Sequence, residues 1–229
     1  MIRIDVSFPL TVLVGYSYAV CECDDIEWDI GSGCFKGFRW FTGVGEGSQT
    51  YVENAIRRSN SFREIASSVL MDDLGFYLVI NHNDDILIVS NEFNVAHRFS
   101  CLPQPMRKYL LFLAALESYA GSGPDDADQR PLFLLDPDSG IDPRCARYLG
   151  EAIAEIPDKG GHVVVSVTTP YMMEAILEKA PRDKLAVYLM WRDPISSLMV
   201  KRLGQKSLAR VYDDSVGFMF NPFEYVDTE

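Results

Sequence analysis

From the amino terminus, apolar and polar positions alternate. Ile2, Ile4, Val6 and Phe8 are separated by Arg3, Asp5 and Ser7, the period of a half-buried strand. The apolar run Thr11–Val14 follows and ends at Gly15. From about Gln49 to Leu70 the period lengthens. Val52, Ile56, Ile65, Val69 and Leu70 form a helical stripe that Ser59-Asn60-Ser61 interrupts. Phe76–Ile80 and Ile86–Ser90 flank a polar turn, Asn81 to Asp85, and predict a hairpin with His82 solvated at its tip. Met106, Tyr109, Leu110, Leu113 and Leu116 are spaced for a buried helix that Pro105 opens. After a polar, acidic loop over Gly121–Gln129, Leu132–Leu135 reads as a short buried strand. Arg144–Pro157 reads as an amphipathic helix, His162–Val167 as a second buried strand, Met172–Lys179 as a helix and Leu185–Met190 as a third strand. Trp191-Arg192-Asp193 reads as a polar turn. Leu208–Tyr212 and Val216–Phe220 read as strands or edge pieces. Phe220, Phe223 and Tyr225 either pack or meet a partner.

Composition narrows the function classes. The 229 residues are 48% hydrophobic and 24% charged, enough for a sizeable core and typical of a globular chain. No apolar run reaches the length of a membrane span, and the first residues read as strands, so a cytoplasmic location is expected. The formal charge of −12 disfavours direct nucleic-acid binding, which rewards the opposite sign. The five cysteines (Cys21, Cys23, Cys34, Cys101, Cys145) hold no CxxC pair, and neither a zinc site nor a disulfide framework is expected. Gly43-Val44-Gly45-Glu46-Gly47 has a phosphate-cradle look but no following lysine, and reads as glycine-rich turns. No linker or repeat splits the chain, so one domain over residues 1–229 is expected. Residues 1–100 would supply N-terminal strands, a β subdomain and a helix, and residues 101–229 a further helix and the core sheet.

The stretch with most chemistry in it is Pro131–Pro143, PLFLLDPDSGIDP. An aspartate at the tip of an apolar strand, followed by a turn, is how P-loop NTPases place a carboxylate beside Mg²⁺. The stretch resembles the Walker B and D-loop segment of ABC-type ATPases, in particular the RecF/SMC/Rad50-like branch. That family reads four apolar residues, Asp, Glu, Pro, three variable residues, then Leu-Asp-Pro or Leu-His-Pro. The order of elements fits as well: strand and glycine turn, hairpin, signature-like helix, Asp-Pro to Ile-Asp-Pro, then strand and Thr-Thr-Pro-Tyr. The resemblance implies a P-loop NTPase, ABC ATPase-like α/β fold with an antiparallel β subdomain. The 229 residues leave no room for the long coiled-coil insertion of SMC and Rad50 proteins.

The chemical groups of the family are largely replaced. Against the phosphate loop G-x-x-x-x-G-K-[ST] the chain offers Gly15-Tyr16-Ser17-Tyr18-Ala19-Val20-Cys21-Glu22. Cys21 stands for the lysine, and Glu22, which would repel a triphosphate, for the hydroxyl. The signature serine and glycines give way to Leu102-Pro103-Gln104-Pro105, where each proline removes an N–H donor. Asp136 runs directly into Pro137, leaving the catalytic glutamate without a counterpart, and Thr168 stands for the switch histidine. The resemblance thus implies a degenerate pseudo-ATPase, a structural or regulatory subunit that meets a protein partner or a second copy through the family's head-to-tail face. No cofactor is expected. Gly15, Ser17, Cys21 and Glu22 would be the remnant phosphate loop, and Asp136 the remnant Walker B residue and the one candidate metal ligand. The alternative is a working ATPase that uses ATP and Mg²⁺, with Ser17, Glu22, Asp136 or Asp138 in new roles and a link to DNA repair or chromosome maintenance.

Overall fold

The computed structural model describes residues 2–15, 26–29, 39–41, 48–93, 95–120, 131–192 and 198–226. The described chain forms two compact units, one from residues 1–42 with 119–229 and the other from residues 43–118.

The first unit is built on a six-stranded sheet. Its strands are β2 (Leu10–Gly15), β4 (Arg39–Phe41), β8 (Leu132–Leu134), β9 (Val163–Val167), β10 (Leu185–Arg192) and β11 (Leu198–Arg202). They lie in the order β11-β10-β2-β9-β8-β4. All neighbours are parallel except β11, which runs antiparallel to β10. A parallel strand covered on both faces reads as an unbroken apolar run, and β9 shows it: Val163, Val164, Val165 and Val167 are all at most 2% exposed. Each such side chain contributes about 1.5–3 kcal/mol of burial. A parallel pair, β1 (Ile2–Asp5) and β3 (Ile26–Asp29), adds to this core. Ile4 and Val6 pack in one cluster with Leu13, Phe133, Val164, Tyr188 and Met190.

Helices α4 (Pro143–Ala154) and α5 (Pro170–Lys179) cross closely because α4 carries Gly150. A Cβ there would stand 2.8 Å from the Met172 carbonyl oxygen and 3.0 Å from the Ala175 Cβ. Arg147 on α4 reaches Glu174 and Glu178 on α5, tying the pair at its surface.

In the second unit, the interrupted stripe resolves into α1 (Ser48–Arg58) and α2 (Asn60–Leu74). Ser59 divides them as the N-cap of α2, its hydroxyl accepting from the Phe62 N–H at 3.0 Å. The hairpin is β5 (Phe76–Ile80) and β6 (Ile86–Ser90), in antiparallel register from Phe76↔Ser90 to Ile80↔Ile86. Asn81 closes its turn, with Oδ1 accepting from the N–H groups of Asn83 and Asp85 at 2.9 Å. His82 is exposed there. A short β7 (Ala96–Arg98) completes a three-stranded antiparallel sheet, and α3 (Gln104–Ala120) is buried from Tyr109 to Leu116. The expected architecture, a mostly parallel α/β sheet with a separate antiparallel β part, is the one the chain adopts.

Two expectations fail near the C-terminus. Leu208–Tyr212 and Val216–Phe220 are not strands but parts of α6 (Gln205–Asp213) and α7 (Ser215–Phe220). Ser207 and Val211, four apart, bury one helical face. Asp214 starts α7 by accepting from the Gly217 N–H at 2.8 Å. Trp191 and Arg192 are also not a turn. They extend β10 and pair with Met199 and Leu198.

Candidate functional site

Adjacent parallel strands bring their C-terminal tips together, and that is where α/β sheets carry their chemistry. Leu134 on β8 is in register with Val165 on β9. The residues just past them, Asp136 to Asp138 and Ser166 to Thr169, therefore meet, although they lie some thirty positions apart in the chain.

Asp136 is 3% exposed and takes the left-handed conformation, φ +43°, which a side chain with a Cβ enters at a cost of about 1–2 kcal/mol. A reciprocal pair with Ser166 holds it. The Asp136 N–H donates to Ser166 Oγ, and the Ser166 hydroxyl donates to Asp136 Oδ1, both at 2.6 Å. The bend turns the chain through Pro137 so that Asp138 points back beneath the tip of β9.

Asp138 is fully buried, and its carboxylate accepts from four donor groups. The Thr168 N–H lies 3.0 Å from Oδ2 and 3.2 Å from Oδ1, and the Thr168 hydroxyl 2.9 Å from Oδ1. The Thr169 N–H and hydroxyl reach Oδ2 at 2.6 and 2.7 Å. Thr169 is the N-cap residue of α5, with Pro170 at its first position. Asp138 thus supplies from a distant turn the acceptor that a helix start needs, and its charge faces the positive end of the α5 dipole. Burial raises its pKa, while the hydrogen bonds from Thr169 and Thr168 pull the other way. Ile141-Asp142-Pro143 then enters α4 as expected, Asp142 Oδ1 accepting from the Arg144 N–H at 2.9 Å.

Gly15 ends β2 with φ +102°, and a Cβ there would lie 2.2 Å from the carbonyl oxygen of Met190 on β10. The sheet itself therefore demands glycine, whether or not a phosphate follows. The other remnant phosphate-loop candidates, Ser17, Cys21 and Glu22, lie outside the described residues, as does the Gly43–Gly47 run. In the signature-like segment, α3 starts at Gln104, one residue before Pro105. Leu102 is buried, and the first helical bond of this turn runs from the Arg107 N–H to the Pro103 carbonyl at 3.1 Å. A cavity of about 530 Å³ in the second unit is lined by Gly75, Phe76, Ser90, Phe93 and His97 among others, none of them an expected site residue.

Sequence reasoning found Asp136 and missed the partners that occupy it. It placed Thr168 as the substitute for a histidine and Thr169 only as part of the same Thr-Thr-Pro-Tyr motif, and gave Ser166 no role. The strand pairing was the available signal, because two consecutive strand tips in a parallel sheet imply the contact.

No protein-family model matches the chain, and no curated protein matches it. Among solved structures, it is similar to an SMC head bound to the C-winged helix domain of ScpA, with 8% identity over 74% of this chain and 57% of that one (TM-score 0.47). It is similar to the SMC head domain from Thermotoga maritima, with 19% identity over 70% of this chain and 53% of that one (TM-score 0.41). It is also similar to the ADP conformation of an ATP-binding cassette of an ABC transporter, with 12% identity over 93% and 87% of the two chains (TM-score 0.44). The chain spans little more than half the length of the two SMC head chains.

Proposed function

We propose that this chain is a catalytically degenerate ABC-type domain, a pseudo-ATPase that serves as a structural or regulatory interaction subunit in the cytoplasm and needs no nucleotide or metal. The observation that carries the reading is the state of the two carboxylates at the tip of β8. A residue that holds Mg²⁺ keeps oxygens directed at the ion, whereas Asp138 spends both of its oxygens on Thr168 and Thr169. Asp136 Oδ1 is taken by Ser166. This pairing supports a structural role for the two carboxylates over a Mg²⁺-holding one, since Asp138 keeps no oxygen to spare.

The motif count supports the same reading in either register. Counted forward along the strand, Asp136 falls on the family's aspartate and the glutamate is missing. Counted back from Ile141-Asp142-Pro143 and Pro137 without a gap, Asp136 falls on the glutamate, and the aspartate's place goes to Leu135, a core residue only 6% exposed. One of the two acids is absent both ways. Phosphoryl transfer in this fold depends on positioning and charge stabilisation, and a single lost donor of that kind costs about 10²–10³ in rate. Substitutions at the phosphate loop, signature, acid and switch positions together remove the enhancement.

The partner is a protein or a second copy meeting the head-to-tail face. No helix among the described residues is long and apolar enough to cross a membrane, and the net charge of −12 argues against nucleic acid. Steady-state phosphate release from ATP and Mg²⁺ tests the reading. The wild type and Asp136→Ala should both run at the uncatalysed background. Turnover above background that Asp136→Ala abolishes would establish the working ATPase instead, with ATP and Mg²⁺ as its cofactors.

A further inference from the structure

Besides the β8 tip, the first unit carries a second unusual surface, at its C-terminal helices. Tyr225, one of three aromatics near the end of the chain, is an interior residue. Its ring packs edge-on against Phe218 at 5.7 Å and lies under Arg210, and its hydroxyl donates to Asp214 at 2.5 Å. Phe220 points outward, and Phe223, though its ring meets Trp191 edge-on at 5.6 Å, keeps more than half of its surface in water. Phe220 is 80% exposed and Phe223 57%, while Val216, one helical turn before Phe220 on α7, is 47% exposed. These are large apolar groups that water hydrates at a cost.

The exposed apolar face of α7, Val216 with Phe220, borders a cavity of about 230 Å³ that Val216 lines. The other walls include four carboxylates, Glu174, Glu178, Asp213 and Asp214, with Tyr212 among them and no Lys or Arg. Arg147, which does not line the cavity, already pairs with Glu174 and Glu178, and the Arg182 guanidinium stacks 4.2 Å over the Tyr212 ring. Asp214 accepts from the Tyr225 hydroxyl and from the Gly217 N–H that it caps, and these bonds lower its pKa. The surface thus joins an exposed aromatic ridge to a recess of negative charge.

We propose that this surface docks a basic amphipathic segment of a partner protein, its apolar side chains on Val216, Phe220 and Phe223 and a Lys or Arg in the acidic recess. Charge decides between occupants. A second copy would bring its own carboxylates and a net charge of −12 against the same rim, and an anionic lipid surface would be repelled for the same reason. A segment carrying apolar and cationic groups satisfies both halves of the surface. The inference gives a partner class to the interaction role proposed above and rests on that role, but not on the nucleotide site.

The test uses the full chain and a synthetic amphipathic helix with a Leu/Phe stripe and flanking Lys residues, labelled for fluorescence anisotropy. Binding should weaken at least tenfold in Phe220→Ser/Phe223→Ser. It should also weaken in Asp213→Asn/Glu178→Gln and vanish for the peptide with Glu in place of Lys. Glu155→Gln/Asp158→Asn, which removes two exposed charges elsewhere, should leave it unchanged, and thermal melts confirm that each variant is folded. No binding, or equal loss in the distal and patch variants, overturns the proposal. Dimerisation that Phe220→Ser abolishes would identify a second copy as occupant and overturn it too. ATP titration on the same samples keeps the two readings apart: bound ATP with intact peptide docking would overturn only the pseudo-ATPase.

Discussion

Replacing Asp138 by alanine separates a carboxylate that holds the fold from one that waits for a metal. The substitution strips the acceptor from four donors: the N–H and hydroxyl groups of Thr168 and Thr169. The two hydroxyls can rotate towards other acceptors, but the two N–H groups are fixed at the start of α5. Each buried donor left without a partner costs about 1–3 kcal/mol, so the pair costs about 2–6 kcal/mol. Against this stands the burial penalty of the carboxylate, the leading cause of its raised pKa, which disappears with it. The net loss should be about 3 kcal/mol, or about 6–12 °C in melting temperature for a chain of this size. Asp138→Asn keeps one acceptor oxygen and should lose about half as much. Asp136→Ala removes one hydrogen bond from Ser166 and places alanine at φ +43°, and should cost about 1–2 kcal/mol. Urea unfolding followed by circular dichroism measures all three. Were Asp138 a metal ligand held in readiness, its removal would relieve a buried charge. Asp138→Ala as stable as the wild type, or more so, would refute the reasoning.

Three further outcomes follow from the geometry. Gly15→Ala must both adopt φ +102° and clear a carbonyl 2.2 Å away, and should destabilise by more than about 2 kcal/mol on thermal melting. Gly150→Ala presses on the Met172 carbonyl at 2.8 Å. It should cost about 1–3 kcal/mol, where alanine on an open helix face would stabilise. The folded-state pKa of Asp138 lies above the usual 3.8, so the part of its contribution that comes from protonation is fully present below 3.8 and is lost as pH rises through the raised value. The stability of the wild type relative to Asp138→Asn should therefore increase as pH falls from neutral towards about 4. A difference independent of pH would mean that the carboxyl's pKa is the same folded and unfolded.

What the sequence revealed and what it hid divide along physical lines. The hairpin, the β8 strand and the entry to α4 were legible because their signals are local: a polar turn between β-rich runs, an apolar run stopped by Asp136-Pro137, and Asp142 before Pro143. The break at Ser59 was legible as an interruption, and its cap bond explains why a second helix begins there. Leu208–Tyr212 and Val216–Phe220 were misread because mostly apolar runs of five residues fit either period. The capping acceptor of α7, Asp214, lies just outside the run it starts. The occupancy of Asp136 and Asp138 was hidden because it depends on residues that only the sheet brings close. The exposure of Phe220 and Phe223, against the burial of Tyr225, was equally beyond reach, since composition does not say which aromatic has a cavity to fill.

The proposed loss of nucleotide binding is tested most directly by binding itself. Isothermal titration of the purified full chain with ATP and with ADP, each with and without Mg²⁺, should give no heat beyond dilution up to millimolar nucleotide, weaker than about 4 kcal/mol of binding free energy. Saturable, Mg²⁺-dependent binding at micromolar concentration would contradict it.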